Sequence, residues 1–327
     1  MKTCIYGAGA IGGLIGTRLA LYGGVQVSAL ARGATLLALR QHGWRLRQGG
    51  KLLQAGAHAS DHPAELGPQD LLVIAVKGPA MAEVARRIGP LLKPETIVLP
   101  AMNGVPWWFC EGLPGIAGAS ALESVDPGGF IAQAIPVSHV IGCVVHAAAA
   151  MPEPGLVEHR MGHGLIIGEP QGNETPRVQR LRDLLTGAGF EVTLSDRIRR
   201  DTWYKLWGNL TMNPVSAVTG ASADRILDDP LVREFCSASM REAAAIGALL
   251  GCAIEQTPEE RHAVTRKLGT FKTSMLQDVE AGRMLELDAI VGAVRELGQR
   301  VGVATPNIDT LFGLARLFAR VRGLYPG

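Results

Sequence analysis

Short apolar segments alternate with segments of helical periodicity through the first half of the chain. Residues 3–6, 25–30, 71–76 and 96–99 are apolar and too short for ordinary helices, so each predicts a buried strand. Between the first two, apolar side chains at positions 11, 14, 15 and 19 share one face of a helix that ends at Gly23. This alternation is typical of βαβ units and indicates a parallel sheet.

The second half of the chain has a different pattern. Residues 117–168 read as strands rich in glycine and proline, and a last helix and strand follow at about residues 177–194. From residue 202 onward long helical patterns dominate, with residues 231–250 and 289–301 as the clearest examples. The sequence therefore predicts an α/β fold, with a sheet-based domain over residues 1–195 and an all-α domain over residues 196–327.

Composition and charge exclude several classes of protein. The 327 residues carry 32 Lys and Arg against 30 Asp and Glu, and the arginines are scattered, so we expect no nucleic-acid partner. No apolar segment approaches the roughly 20 residues that cross a bilayer, so we expect no membrane partner. The five cysteines are far apart and form no C-x-x-C pair, which predicts reduced thiols in a cytoplasmic protein. His159 and His163 lie among glycines, and we predict no metal site.

A glycine-rich segment follows the first predicted strand and leads into the first predicted helix. Its residues Gly7, Ala8, Gly9, Ala10, Ile11 and Gly12 match the pattern G-x-G-x-x-G. In such a loop the first glycine allows a tight turn, the second lets the backbone approach a pyrophosphate, and the third allows close helix–strand packing. The helix N-terminus favours the anion. The sheet-based domain is therefore predicted to be a Rossmann-type dinucleotide-binding domain.

The end of the second predicted strand indicates which dinucleotide is bound. NAD-selective domains usually place Asp or Glu there to bind the ribose 2′-hydroxyl, whereas this chain has Arg32. A guanidinium can pair with a 2′-phosphate, with Arg40 in support, so the sequence predicts NADP(H). The alternative interpretation is that Arg32 is a solvated turn residue.

Other polar residues stand where a substrate could bind. Lys77 and Asn103 follow the third and fourth predicted strands, at the sheet edge where α/β proteins bind ligands, although Asn103 with Gly104 also fits a plain turn. In the helical half, Lys205, Asn209 and Asn213 are spaced i, i+4, i+8 and share one helix face. One ammonium and two carboxamides suit a substrate with a carbonyl, hydroxyls and a carboxylate. A solvent-exposed polar face is the alternative.

Together these segments resemble the ketopantoate reductase family, the 2-dehydropantoate 2-reductases. The resemblance runs along nearly the whole chain. Besides the glycine motif it is carried, in order and spacing, by Val76-Lys77, Asn103-Gly104, Lys205 to Asn209 with Asn213-Pro214, Ser274 to Asp278, and Glu286 to Asp288. The segments around Lys205 and Ser274 are the more specific ones, because many dehydrogenases share the glycine motif.

The resemblance implies NADPH-dependent reduction of 2-dehydropantoate to pantoate, on the route to pantothenate and coenzyme A. It implies that Lys205 is the catalytic lysine, acting on the carbonyl oxygen as hydride arrives, and that Glu286 contacts the lysine or the cofactor. By the same resemblance, the substrate would be held by Asn209, Asn213, Ser274 and Asn103. The cofactor would be bound by the glycine segment and Arg32 together with Lys77, Asn103, Ala147 and Glu286.

Two departures from the family pattern bear on the substrate. A further asparagine of the family would fall near Ala223, and residues 105–140 form a longer segment that could be a lid or a new pocket wall. The alternatives are therefore a paralogue that reduces another 2-oxo acid or ketone, and a non-catalytic NADPH-binding sensor. In the last helical pattern, a homodimer could form through Leu311, Leu314, Leu317 and Phe318, or these side chains could pack inside the monomer.

Overall fold

A computed structural model describes residues 1–113, 116 and 121–326. The chain divides into two compact units, one formed by Met1–Met102 with Phe130–Asp201 and the other by Asn103–Gly129 with Thr202–Gly327. The sequence placed a domain boundary at residue 195, close to the end of the first unit. The segment Asn103–Gly129, which precedes that boundary, belongs to the second unit.

The first unit contains ten strands and six complete α-helices among the described residues. They are β1 (Lys2–Tyr6), α1 (Ala10–Tyr22), β2 (Gln26–Leu30), α2 (Gly33–His42), β3 (Trp44–Gln48), β4 (Lys51–Ala55), β5 (His58–Ser60), α3 (Pro63–Leu66), β6 (Leu71–Ile74), α4 (Met81–Arg87), β7 (Ile97–Pro100), α5 (Phe130–Ala134), β8 (Gly142–Glu153), β9 (Leu156–Gly168), α6 (Pro176–Gly187) and β10 (Glu191–Leu194). The four strands predicted in the first half are all present, as β1, β2, β6 and β7.

A five-stranded parallel sheet of order β5-β2-β1-β6-β7 forms the first layer of this unit. Its central strands β1 and β6 are buried along most of their length, and β6 consists of apolar residues only. Cys4 and Ile5 in β1, and all of β6, are fully buried. The predicted α/β class with a parallel N-terminal sheet is confirmed.

A second sheet has the order β10-β9-β3-β4, and β8 pairs with β9 as a long antiparallel hairpin. His159 and His163 lie in β9 with their rings stacked 4.4 Å apart, so their spacing is not helical. The strand-like interpretation of residues 117–168 is wrong for Phe130–Ala134, which is a helix, while residues 117–120 lie outside the described residues. A five-residue helix between glycines and a proline carries too little periodicity to be seen in the sequence.

The second unit is helical. Its elements are α7 (Ile198–Thr219), which begins in the first unit, α8 (Ala223–Asp228), α9 (Pro230–Leu249), α10 (Pro258–Arg266), α11 (Ser274–Glu280), a π-helical turn (Asp288–Gly292), α12 (Ala293–Val301) and α13 (Pro306–Val321). The side chains of Asp229 and Thr257 cap α9 and α10, and a proline follows each cap. The indole nitrogens of Trp203 and Trp207 donate to carbonyls of α9, which fixes α7 against it.

The aromatic segment after Asn103 is part of this helical core. Trp107, Trp108 and Phe109 are buried, and Phe109 packs in a cluster with Trp203 and Leu297. The sequence suggested that residues 105–140 could be a lid or a pocket wall; within that segment, Phe109 packs in the core of the second unit. On α13, Leu311 is likewise buried in a cluster with Met212.

Candidate active site

The glycine loop has the geometry that its sequence predicts. Gly7 has φ +96°, and a Cβ there would lie 2.7 Å from the side chain of Val76. A Cβ on Gly12 would lie 2.0 Å from the carbonyl oxygen of Gly7, so α1 can approach the loop only with glycine at this position. Around Gly9 there is open space, which leaves the backbone accessible to a ligand at the N-terminus of α1.

A cavity opens beside this loop and is formed wholly by the first unit. It is lined by Tyr6, Gly7, Ala8, Gly9, Leu30, Ala31, Arg32, Thr35, Asp61, Val76, Ala80, Glu83, Val84 and Arg87. Of the residues that the sequence assigned to the cofactor, Gly7, Ala8, Gly9 and Arg32 line it. Ala10, Ile11 and Gly12 begin α1, Lys77 follows β6, and Ala147 lies in β8, and these five do not line the cavity.

Arg32 is held in the cavity by a carboxylate. One guanidinium nitrogen of Arg32 donates to both oxygens of Glu83, at 2.7 and 2.8 Å. Arg87, one turn further along α4, donates to the same carboxylate at 3.3 Å and also to the backbone carbonyl of Asp61. Arg40 instead donates to the carbonyl of Ala59 and does not line the cavity. The cavity thus presents two guanidinium groups with one carboxylate between them.

The lysine that the sequence singled out lies in the second unit and contacts Asn103. Lys205 and Asn209 are half-buried and Asn213 is buried along one face of α7. The ammonium of Lys205 donates a 2.9 Å hydrogen bond to the side-chain oxygen of Asn103. A lysine and an asparagine from distant parts of the sequence are therefore brought together in the second unit.

The turn that carries Asn103 is fixed by its backbone. Gly104 has φ +85°, and a Cβ there would lie 2.6 Å from the carbonyl oxygen of Ala289. The next amide, that of Val105, donates to the same oxygen at 2.8 Å. Only glycine allows this close approach. Asn103 is consequently positioned against the segment that follows Glu286.

Glu286 itself is half-buried between the fully buried Leu285 and Leu287. The C-terminal residues hold this segment: the amide of Leu285 donates to the carbonyl of Leu324, and the hydroxyl of Tyr325 donates to the Asp288 carboxylate at 2.5 Å. Burial raises the pKa of Asp288, and the hydrogen bond from Tyr325 opposes that rise.

Two positions discussed for the substrate lie at helix starts. Ser274 is the first residue of α11 and is exposed, while the preceding Thr273 caps that helix. Ala223, near which the resemblance expects a further asparagine, is buried at the start of α8.

Two family models match the chain on either side of its middle. Residues 3–107 match the ketopantoate reductase PanE/ApbA model, and residues 197–319 match the model of its C-terminal region. A 2-dehydropantoate 2-reductase of Mesorhizobium japonicum is 42% identical over 325 residues, covering 99% of this chain and all of the relative. The chain belongs to the ketopantoate reductase family.

Solved structures agree with the family. A protein from Ralstonia solanacearum MolK2 that was assigned as a ketopantoate reductase superposes with a TM-score of 0.95 at 54% identity, with 99% of each chain covered. D-mandelate dehydrogenase in complex with NADH and anilino(oxo)acetate shares the fold, with a TM-score of 0.84 at 22% identity, covering 99% of this chain and all of the other. The ketopantoate reductases are oxidoreductases that act on CH–OH groups, so the predicted enzyme class is confirmed.

Two charged residues of the cavity beside the glycine loop were missed in the sequence analysis. Glu83 and Arg87 line the cavity beside the glycine loop, yet they lie on α4, more than 50 residues after Arg32. Their i, i+4 spacing on a helix was the one local signal, and it is equally typical of a solvated surface pair. Among the described residues there is no cluster of three or more metal-ligating side chains, and no helix is long and apolar enough to cross a bilayer.

Proposed function

We propose that this protein catalyses the NADPH-dependent reduction of 2-dehydropantoate to pantoate, a step toward pantothenate and coenzyme A. The observation that carries the proposal is the hydrogen bond between Lys205 and Asn103 on the polar face of α7. A non-catalytic sensor would need the glycine loop but not a lysine held by an asparagine beside two further carboxamides.

Lys205 is the proton donor in this proposal. Hydride addition to a ketone builds negative charge on the carbonyl oxygen, and an ammonium beside that oxygen stabilises the charge and then supplies the proton. The side-chain oxygen of Asn103 accepts a hydrogen bond from one of the three N–H groups of the ammonium and so restricts the directions of the other two. Glu286 is proposed to contact this lysine or the cofactor.

The substrate is proposed to be held by carboxamides and a hydroxyl. Asn209 and Asn213 follow Lys205 at one-turn intervals on α7, and Ser274 begins α11. Amide and hydroxyl N–H and O–H groups can donate to the carboxylate of a 2-oxo acid, and amide oxygens can accept from its hydroxyl. We propose residues 196–327, with the Asn103 turn, as the substrate-binding part.

The residues of the first unit fit a phosphorylated dinucleotide. Gly7 allows the tight turn, Gly12 allows α1 to pack closely, and the backbone at Gly9 is open to a pyrophosphate. Arg32 and Arg87 supply guanidinium groups for a 2′-phosphate. A bound reduced nicotinamide supplies the hydride. We therefore propose NADPH as the cofactor, held by residues 1–195, with Lys77 and Ala147 on the cofactor side.

A second candidate is the reduction of a different 2-oxo acid by the same machinery. The specific observation is that Ala223 is buried, near the place where the resemblance expects a further asparagine. An alanine side chain cannot hydrogen-bond a polar group of the substrate, so in this candidate the substrate is a 2-oxo acid other than 2-dehydropantoate.

The deciding experiment is NADPH oxidation with 2-dehydropantoate beside a panel of branched and aromatic 2-oxo acids. Turnover selective for 2-dehydropantoate would support the proposal. Turnover with another acid only would establish the second candidate, and tight NADPH binding without turnover on any of them would favour a sensor.

We also propose a homodimer that uses the exposed face of α13. Leu314 and Leu317 are 58% and 62% exposed, and Val321 extends the same stripe at 79%. Apolar positions at i, i+3 and i+7 that face solvent are typical of an interface.

A further inference from the structure

The carboxylate of Glu83 occupies a position suited to an anionic ligand. Its oxygens accept hydrogen bonds from the guanidinium group of Arg32 at 2.7 and 2.8 Å and from that of Arg87 at 3.3 Å. All three residues line the cavity beside the glycine loop. The position is therefore already filled by a negative charge that belongs to the protein.

Glu83 and a bound phosphate would compete for the guanidinium group of Arg32. A phosphate that pairs with Arg32 must take the guanidinium from Glu83 or stay beside a carboxylate that repels it. A ribose 2′-hydroxyl has no such conflict, because a hydroxyl can donate to the Glu83 carboxylate while both arginines remain paired.

We propose that Glu83 determines cofactor preference by competing with the 2′-phosphate of NADPH for Arg32 and Arg87. The inference rests on the proposed function for its cofactor. In this role Glu83 weakens the binding of NADPH relative to that of NADH. The preference for NADPH over NADH is then smaller than Arg32 alone would give.

The ion pair contributes little to holding the fold, which makes the role testable. The side chains of Arg32 and Glu83 are 66% and 39% exposed, and exposed pairs of this kind stabilise proteins only weakly. Helix α4 is anchored independently by the buried side chains of Met81, Val84 and Ala85. We therefore expect Glu83→Gln, which keeps the shape and removes the charge, to fold normally.

The experiment measures dissociation constants by calorimetry for NADPH, NADH, 2′,5′-ADP and 5′-AMP with the wild type and with Glu83→Gln. The expected result is binding of NADPH and 2′,5′-ADP that is about 3- to 10-fold tighter in the variant, because two competing ion pairs are lost. Binding of NADH and 5′-AMP should not tighten. Glu95→Gln, at an exposed glutamate that does not line the cavity, is the matched charge control and should change neither.

A second variant tests whether Glu83 changes NADPH binding through Arg32. If Glu83 acts through Arg32, the gain from Glu83→Gln should shrink in the Arg32→Ala background, since the competing partner is absent. The difference between wild type and Glu83→Gln should also shrink at high salt.

The outcomes separate this inference from the proposed function. Unchanged or weaker NADPH binding in Glu83→Gln, with a wild type that binds NADPH, overturns the competition and leaves the cofactor assignment standing. A wild type that binds neither NADPH nor 2′,5′-ADP overturns both.

Discussion

The ammonium of Lys205 donates a 2.9 Å hydrogen bond to the amide oxygen of Asn103, across 102 residues of sequence. Both residues belong to the helical unit, because the turn that follows β7 is part of that unit. The amide oxygen of Asn103 therefore orients the ammonium of Lys205, and this acceptor carries no negative formal charge.

Replacement of the lysine should affect turnover far more than cofactor binding. We expect Lys205→Ala to lower kcat by at least about 100-fold, because the variant lacks both the proposed proton donor and its charge. Its dissociation constant for NADPH should stay within about twofold of the wild type, since other residues line the cavity proposed for the dinucleotide. Steady-state kinetics and a direct binding titration measure the two effects. Turnover equal to the wild type would contradict the assignment.

Gly104 should be irreplaceable because a side chain there would collide with a neighbouring carbonyl group, in addition to straining the backbone. Gly104→Ala would place a Cβ 2.6 Å from the Ala289 carbonyl oxygen and would also strain a residue with φ +85°. We expect a loss of more than about 2 kcal/mol in the free energy of unfolding, together with lower kcat from the displaced Asn103.

The matched control is Gly302→Ala, where φ is +74° and no atom lies within 4 Å of the added Cβ. That variant should lose only about 1 kcal/mol and keep its kcat. Urea unfolding of both variants measures the difference. Equal losses would show that the contact with Ala289 is unimportant.

Local sequence signals predicted the parts of the site that are local in space. The glycine loop was found because one short segment supplies the strand end, the turn and the helix start. The face of α7 was found because the i+4 spacing of Lys205 and Asn209 fixes their direction on a helix. The pairing of Arg32 with Glu83 was missed, because 51 residues separate them and no periodicity links two elements on opposite sides of a cavity.

The same limit applies to burial. The sequence suggested four apolar side chains of α13 as dimer contacts, yet Leu311 is 4% exposed and Leu317 is 62% exposed. Periodicity shows that a helix has an apolar face, but α13 has two apolar faces, one with Leu311 and one with Leu317. Which one is covered depends on the neighbouring helices, and those come from distant segments.

The exposed face of α13 should control the oligomeric state. We expect the wild type to sediment as a dimer and Leu317→Glu to shift toward monomer, because a charge would be buried in the interface. Leu37→Glu, at an equally exposed leucine of α2, is the control and should leave the sedimentation unchanged. A monomeric wild type, or a dimer that Leu317→Glu leaves intact, would contradict the interface.

The five cysteines should be unreactive in the folded protein. All five are buried thiols, and burial raises the pKa of Cys4 and of Cys236 to about 12. Since the thiolate is the reactive form, the native protein should react with a thiol reagent far more slowly than the unfolded protein. The unfolded protein should consume five equivalents of the reagent, one for each cysteine. Rapid labelling of even one cysteine in the native state would contradict the burial.

His262 should make the protein less stable in mild acid. Its ring is 5% exposed, and within the described chain neither ring nitrogen has a hydrogen-bond partner. Burial lowers its pKa from the ordinary 6.5; Glu259 opposes this shift, and Arg233, Arg261 and Arg266 add to it.

The unfolded chain therefore binds a proton more readily than the folded one. The stability that this group contributes is complete above about pH 6.5 and is lost as the pH falls below it, by up to about 1.4 kcal/mol per pH unit. Urea unfolding at several pH values from neutral to mildly acidic measures the slope. His262→Leu should flatten it, whereas His58→Ala, at an exposed histidine, should not. An identical slope in His262→Leu would show that another group is responsible.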